Sequence, residues 1–330
     1  NKIVNPYVSG KLPMNRLHTP TGNWKYALLL SLFSALLWGI LPIALKGMMS
    51  YMDPYTITWY RFLLAGISSF FILSYKKGIP RLRGINNQTV ITLLLASIGL
   101  CGNYILYLLG LSRTGPGAAQ VLIQLAPILL IIGGVTIFKE AFKTAQLIGL
   151  ICILIGFCLF FQHRLQEIFT SLTEYTLGII LIIGASVTWA VYALAQKQLL
   201  KLFNSQQILF LIFCSGTIFL LPTAAPGTLL GLNLTGILLL AFCSVNTVLA
   251  YGCFAEALEH WEASRVSAIL AIVPLLTLVF MELVIPVYPD LLSSEEITWV
   301  SFLGAIVVVV GTIIFVIKKN KSIQYCIGAE

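Results

Sequence analysis

Long apolar stretches dominate this chain, and each is close to the length of about 20 residues that a helix needs to cross a lipid bilayer. Span seven is the shortest and closes at Pro222, and span two contains Arg61. The sequence therefore predicts an all-α membrane protein with ten transmembrane helices. The predicted spans are residues 26–46, 54–75, 88–111, 116–138, 144–161, 176–199, 205–221, 233–257, 264–285 and 296–317.

The composition excludes an ordinary water-soluble domain. Hydrophobic residues make up 58% of the 330-residue chain and charged residues only 10%, whereas soluble domains carry about 25% charged residues. A net charge of +8 would point to nucleic acid in a soluble protein. Here the basic residues lie in loops between apolar runs, so we interpret them as signals of membrane orientation and expect no nucleic-acid partner.

The basic residues are distributed unequally between the two sides of the predicted membrane. With the N-terminus placed inside, sixteen Lys and Arg residues fall on the inner side, and only Lys46, Arg61, Arg113 and Arg164 fall on the outer side. Positive charge favours the cytoplasmic side of the membrane. We therefore predict a multi-pass protein of a bacterial-type inner membrane with both termini in the cytoplasm, which also requires an even number of spans.

The ten spans form two related sets of five. Because five is odd, the second set must be inverted in the membrane relative to the first. The sequence predicts two repeats, residues 1–165 and 166–330, an architecture common among secondary transporters. Matched residues are Trp38 and Trp189 at an offset of 151, Tyr104 and Tyr251 at 147, Pro127 and Pro274 at 147, Gly149 and Gly304 at 155, and Gly156 and Gly311 at 155.

Several short motifs resemble those of a known family. In the first half they are Tyr60-Arg61-Phe62-Leu63-Leu64-Ala65, Ala126-Pro127 followed by Glu140, and Gly149 to Gly156. In the second half they are Ala263-Ser264-Arg265-Val266-Ser267, Val273-Pro274, Glu295-Glu296-Ile297-Thr298 and Gly304 to Gly311. Together they resemble the EamA-type transporters of the drug/metabolite transporter superfamily. The resemblance implies a ten-helix carrier with 5+5 inverted repeats that exports amino acids or other small metabolites. The chain departs from it at Tyr288–Ser294, which lengthens the outer loop before span ten.

Motifs of other protein classes are missing from the sequence. It contains no G-x-S-x-G, no H-E-x-x-H and no G-x-x-x-x-G-K, so we expect neither an enzyme nor an ATP-driven pump. None of the seven cysteines forms a C-x-x-C pair, and we expect no metal site and no cofactor.

Aromatic, amide and guanidinium side chains recur on the spans that should line a central cavity. Amides in lipid need hydrogen-bond partners, so they are expected to point into the protein. Trp and Tyr rings can stack on an aromatic ligand or hold a cation; the alternative is that they pack between helices or anchor at the interface. The candidate substrate-binding residues are Trp38, Arg61, Asn103, Tyr104, Tyr107, Gln120, Gln124, Trp189, Tyr192, Asn246 and Tyr251.

Arg61 and two prolines have specific hypotheses attached to them. Arg61 lies seven residues after Pro54, roughly 10 Å below the outer end of its helix, where it can bind a substrate carboxylate or extend to the outer interface. Pro127 and Pro274 occupy equivalent places in spans four and nine. They are candidate hinges, or else fixed kinks that shape the cavity.

The sequence therefore predicts a secondary transporter of small metabolites, amino acids or their relatives, that works by alternating access in export or exchange. One rival within transport is uptake or exchange of a nucleoside-like or cationic metabolite of the S-adenosylmethionine or choline type. Another is a membrane scaffold without transport, or a channel-like pore. Glu256, near the inner end of span eight, is a candidate proton-coupling group, but a solvated helix end is the favoured reading. A monomer and a homodimer both remain open.

Overall fold

The computed structural model describes residues 22–82, 84–138, 144–261, 263–288 and 297–316, and these residues form helices and loops without a β-strand. The α-helices are α1 Trp24–Met48, α2 Pro54–Tyr75, α3 Asn87–Thr114, α4 Pro116–Leu122, α5 Leu125–Phe138, α6 Thr144–Phe160, α7 Leu165–Thr170, α8 Glu174–Leu199, α9 Ser205–Leu220, α10 Leu234–His260, α11 Ala263–Leu270, α12 Val273–Val284 and α13 Trp299–Val316.

Eight stretches of the described chain are long and apolar enough to cross a membrane. They are α1, α2, α3, α4 with α5, α8, α10, α11 with α12, and α13. A ninth is present if α6 and the segment Gln162–Thr170, bent from it by 65°, form one span. The helix at predicted span seven, α9, is apolar but has only 16 residues. The all-helical membrane architecture is thus confirmed, and the number ten stays a prediction.

Some sequence features fall outside the described residues. They are the motif residues Glu140, Glu295 and Glu296, residues 289–294 of the lengthened outer loop, and both chain termini.

Local side-chain caps explain where several helices begin. The carboxylate of Asp53 accepts hydrogen bonds from the backbone N–H groups of Tyr55 and Thr56, and Pro54 follows as the first residue of α2. Asn204 and Gln207 form a reciprocal capping box at the start of α9. Such caps satisfy backbone donors that have no partner within the helix.

The α6–α13 pair packs backbone against backbone through four glycines. A methyl group at Gly149 would lie 2.7 Å from the carbonyl oxygen of Gly311, and one at Gly304 would lie 2.8 Å from that of Gly156. The hydroxyl of Ser301 also donates to the Phe160 carbonyl at 3.0 Å. Small residues allow this close approach between membrane helices, so the predicted repeat glycines join the last helix of each half.

The two halves of the chain are extensively interleaved. Helix α3 packs on α8, α1 packs on α10, and α2 packs on α9. Suppose that each of the first five predicted spans is exchanged with its counterpart among the last five. The α3–α8 contact then becomes the α10–α1 contact, and the α2–α9 and α6–α13 contacts each map onto themselves. Hydrogen bonds follow the same relation. Asn103 donates to the carbonyl of Ala185 at 2.9 Å, while Ser34, equivalent to Ala185, donates to that of Ala250, equivalent to Asn103, at 3.1 Å.

Predicted spans four and nine are each broken in the middle. The first break lies at Ile123 and Gln124, between α4 and α5, and the second at Ala271 and Ile272, between α11 and α12. Each break comes just before a proline, because proline lacks an N–H group and its ring clashes with the carbonyl four residues earlier. The carbonyl of Ile123, four residues before Pro127, accepts instead from the N–H of Ala126 at 2.9 Å. The predicted bends are therefore breaks that precede Pro127 and Pro274.

We expect Gly304→Ala to destabilise the protein. Its methyl group would collide with the α6 backbone, and overpacking of this kind costs about 1–3 kcal/mol. The matched control is Gly252→Ala, a helical glycine with no atom within 4 Å of a new methyl group. The control should be neutral or slightly stabilising, because alanine favours helices. Thermal unfolding in detergent measures both, and equal midpoints for the two variants would contradict the close packing of α6 on α13.

Candidate functional site

Arg61 is the buried charge around which the candidate site is built. It lies on α2, is only 4% exposed, and its Nε donates to the hydroxyl of Thr247 on α10 at 3.0 Å. Its guanidinium carbon lies 4.6 Å from the centre of the Tyr104 ring on α3. Arg61 therefore points into the protein at the meeting point of three helices, and does not extend to the outer interface.

Arg61 has no carboxylate partner in the part of the chain that the structure describes. Asp53 is engaged as the cap of α2, Glu167 and Glu174 pair with Arg164 and Arg113 near the ends of helices, and Glu282 is exposed. The Nη atoms of Arg61 likewise have no acceptor among the described residues. A guanidinium in this position keeps the capacity to bind an anion in bidentate fashion.

Aromatic side chains extend from Arg61 towards α1. Tyr251 on α10 lies close enough to Arg61 and Tyr104 to interact electrostatically with both. The ring of Trp38 on α1 meets the Tyr251 ring edge to face, with 5.4 Å between centroids, and lies 5.7 Å from the Phe254 ring. Trp38 and Tyr251 are both partly exposed. Trp38, Tyr251 and Phe254 thus form an aromatic wall that reaches Arg61 through Tyr251.

The other predicted aromatic residues lie on α8. Tyr192 is buried and within electrostatic reach of Tyr104 and Tyr251. Trp189 is partly exposed and lies 6.3 Å from the Tyr192 ring. The structure therefore gathers Arg61, three tyrosines and two tryptophans from both halves of the chain.

The predicted asparagines join helices. The amide of Asn103 donates to the Ala185 carbonyl on α8, and that of Asn246 donates to the Leu37 carbonyl on α1 at 2.7 Å. Both side chains are at least nine-tenths buried. Membership of the substrate site remains a prediction for both, while their observed contacts hold α3 to α8 and α10 to α1.

The predicted glutamines lie along the first broken span. The hydroxyl of Tyr107 donates to Oε1 of Gln120 at 2.6 Å, and both residues are partly exposed. Gln124, one turn further along, is buried and donates from Nε2 to the Ala271 carbonyl at 3.1 Å. Gln120 thus remains accessible, whereas the amide nitrogen of Gln124 is engaged by the second broken span.

Sequence reasoning missed two residues beside Arg61, Thr247 and Phe62. Thr247 holds Nε of Arg61, and the Phe62 ring meets the Tyr104 ring at 4.8 Å. Thr247 lies four residues before Tyr251 and therefore on the same face of α10. That spacing was a usable signal, but an isolated threonine in an apolar helix more often bonds to its own backbone, as Thr247 also does to Cys243 at 2.9 Å.

Comparison with known proteins identifies the family. The model of the EamA-like transporter family matches residues 25–162 and again residues 176–317. The chain is 42% identical over 285 residues to the "Uncharacterized inner membrane transporter YhbE" of Escherichia coli (strain K12), covering 86% of this chain and 89% of the relative.

More distantly similar proteins also align along most of the chain. The chain is 23% identical to a "Probable amino-acid metabolite efflux pump" of Salmonella typhimurium, with 86% of this chain and 92% of that protein aligned. A crystal structure with 15% sequence identity superposes with a TM-score of 0.59 over 88% of this chain and 97% of the other, which speaks for the fold alone. On the two family matches and the similarity to the inner membrane relative, the chain belongs to the EamA-like transporter family, whose members are membrane transporters and not enzymes.

Proposed function

We propose that this protein is a secondary transporter of small metabolites that carry a carboxylate, amino acids or their relatives, and that it exports or exchanges them by alternating access. It does so as ten helices in two inverted repeats of five, residues 1–165 and 166–330, with both termini in the cytoplasm. The observation that carries the substrate class is the buried guanidinium of Arg61, which has no carboxylate partner in the described chain.

Electrostatics favour a carboxylate at this site. An arginine placed at the centre of a membrane helix costs about 2.5–3.5 kcal/mol even on the mildest scale. The hydroxyl of Thr247 and the ring of Tyr104 compensate only part of that cost, since neither carries a formal charge. A bound carboxylate neutralises the guanidinium and supplies acceptors for its Nη donors.

The aromatic wall favours a ligand that also has an apolar or cationic part. Tyr251 lies close to Arg61 and Trp38 packs against Tyr251, and the faces of such rings bind ammonium groups and flat side chains. An amino acid offers a carboxylate and an ammonium together. Choline would place positive charge beside Arg61 without an acidic side chain among the described residues to offset it. S-adenosylmethionine has a carboxylate that could pair with Arg61, but its additional sulfonium charge would lack an acidic partner in the same residues.

A relative gives independent, weaker support. The Salmonella protein named a probable amino-acid metabolite efflux pump aligns along most of both chains. At 23% identity this likeness supports the substrate class without specifying an amino acid.

We predict that ligand binding depends on the carboxylate and on Arg61. In a thermal-shift screen of purified protein, L-amino acids should raise the unfolding temperature, because a ligand of the folded state stabilises it. The matched amines without the carboxylate should have no effect. Arg61→Gln should weaken the response by roughly 10- to 150-fold in ligand concentration, the loss of about 1.5–3 kcal/mol expected for a charged hydrogen bond.

The matched control is Arg113→Gln. Arg113 pairs with the exposed Glu174 at 2.9 Å, away from the aromatic wall, so the substitution should leave the ligand response unchanged. A stronger response to choline or S-adenosylmethionine than to amino acids, retained in Arg61→Gln, would replace the proposed substrate class with a cationic one.

We also predict that transport does not strictly require an imposed proton gradient. No described carboxylate lies beside Arg61, and Glu256 pairs with His260 at 3.3 Å near the predicted inner end of α10. In proteoliposomes, internal substrate should accelerate uptake of labelled substrate without a pH difference. Absence of this trans-stimulation would favour a pore or a scaffold, and transport only under a proton gradient would assign Glu256 or another group a coupling role.

A further inference from the structure

The breaks in predicted spans four and nine are joined by one hydrogen bond. Nε2 of Gln124, in the first break, lies 3.1 Å from the carbonyl oxygen of Ala271, in the second. Both residues are buried, at 9% and 3% exposure. A buried amide bonded to a backbone carbonyl is a specific contact, because each group is costly to leave unpaired away from water.

Gln124 and Ala271 are equivalent positions in the two halves. They are 147 residues apart, the offset that relates Tyr104 to Tyr251 and Pro127 to Pro274. A contact between equivalent positions lies across the approximate two-fold axis that relates the halves, one residue on each side of it. The distance between two equivalent positions is unchanged when the two halves exchange arrangements, and at Gln124 and Ala271 that distance is short enough for a hydrogen bond.

Packing around this bond departs from the two-fold relation. On the predicted outer side, the half-spans α4 and α12 pack against each other. Their equivalents on the predicted inner side are α11 and α5. Helix α5 packs on α8, and α11 packs on α1 and α10.

Burial of equivalent residues shows the same asymmetry. Val121 and Leu122 on α4 are 0% and 5% exposed, whereas their equivalents on α11, Ala268 and Ile269, are partly exposed.

The outer side is also sealed by other contacts. The ammonium of Lys46 at the end of α1 donates to the carbonyl of Ser112 at the end of α3 at 2.7 Å. The hydroxyl of Tyr60 on α2 donates to the Pro226 carbonyl in the loop before α10 at 2.7 Å. The structure thus has the arrangement expected of a carrier closed at the end where α1 finishes.

The buried apolar side chains form three separate clusters. One continuous apolar core includes Met48, Leu111, Val121 and Met281 from both halves near the outer side. Two further clusters are separate from this core, one that contains Phe62 and Tyr192 and a smaller one around Ala27, Ala257 and Val266.

We propose that Gln124 is a positioning residue, and that its bond to Ala271 is the pivot about which the carrier exchanges its two closures. In the opposite state α5 packs on α11, α4 separates from α12, and the Gln124–Ala271 bond persists. The bond makes the two closures mutually exclusive by keeping both breaks at a fixed separation. This inference rests on the proposed alternating access and adds to it the residue that couples the two sides.

The test uses two reporter cysteines in a full-length protein from which the seven native cysteines have been removed. Val121→Cys reports on the outer half of span four, and its equivalent Ala268→Cys reports on the inner half of span nine. In vesicles, a bulky membrane-impermeant maleimide is first attached to residue 268 from the inner side. The rate at which a second impermeant maleimide labels residue 121 from the outer side is then measured.

In the parent protein, attachment at residue 268 should hold the inner side open and slow labelling of residue 121 by about tenfold, since it shifts the population towards one state. Gln124→Met keeps the length of the side chain but removes its donor, and should reduce this effect to less than about twofold. The matched control is Thr277→Val. It removes another buried bond from a side chain to a backbone carbonyl, Thr277 to Gly39 at 2.8 Å, and should leave the tenfold effect intact.

The outcomes separate the pivot from the proposed function. A tenfold effect that persists in Gln124→Met overturns the pivot and leaves alternating access standing. No effect in the parent overturns both. Where Gln124→Met lowers stability too far, Gln124→Leu, which also lacks the donor, replaces it, and it too should reduce the tenfold effect to less than about twofold.

Discussion

The need to satisfy every backbone polar group inside the protein governs this structure. A lipid-exposed N–H or C=O has no water to bond with, so the chain crosses the predicted membrane as helices. The same need explains where helices are allowed to break. At Ala271 the backbone leaves the helix where Gln124, from the other half of the chain, supplies a donor to its carbonyl. Irregular backbone at this depth is tolerated in the protein interior and not against lipid.

Charge obeys a related constraint. Arg61 lies where Thr247, Tyr104 and Tyr251 surround it, and among the described residues no carboxylate neutralises it. A permanent ion pair would have been the simplest way to bury an arginine. Its absence leaves a deficit of negative charge at the junction of α2, α3 and α10, which the proposed carboxylate ligand would fill.

Much of the fold could be predicted from the sequence, because membrane helices are recognisable by their length and apolar composition. The spacing of residues predicted that Gly149 and Gly156 correspond to Gly304 and Gly311. It likewise predicted that Pro127 corresponds to Pro274. The convergence of Arg61 with Tyr104 and Tyr251 was also expected from their places on inward-facing spans. The partner of Gln124 could not be predicted in this way, since its bond goes to a backbone carbonyl and leaves no mark on residue identity. Thr247 was missed for a similar reason: one hydroxyl serves equally well to bond its own helix or to orient a neighbouring guanidinium.

The glycine-lined α6–α13 contact has a consequence for how such a chain is assembled. Each half ends in a helix whose small-residue face fits the corresponding face of the other half, with Gly149 against Gly311 and Gly156 against Gly304. Two copies of one protein form a symmetric dimer through a surface that is complementary to itself. The glycine faces of α6 and α13 have this property. In a single polypeptide the loop between the halves keeps these two complementary faces within reach of each other, so the α6–α13 contact forms without an encounter between separate chains.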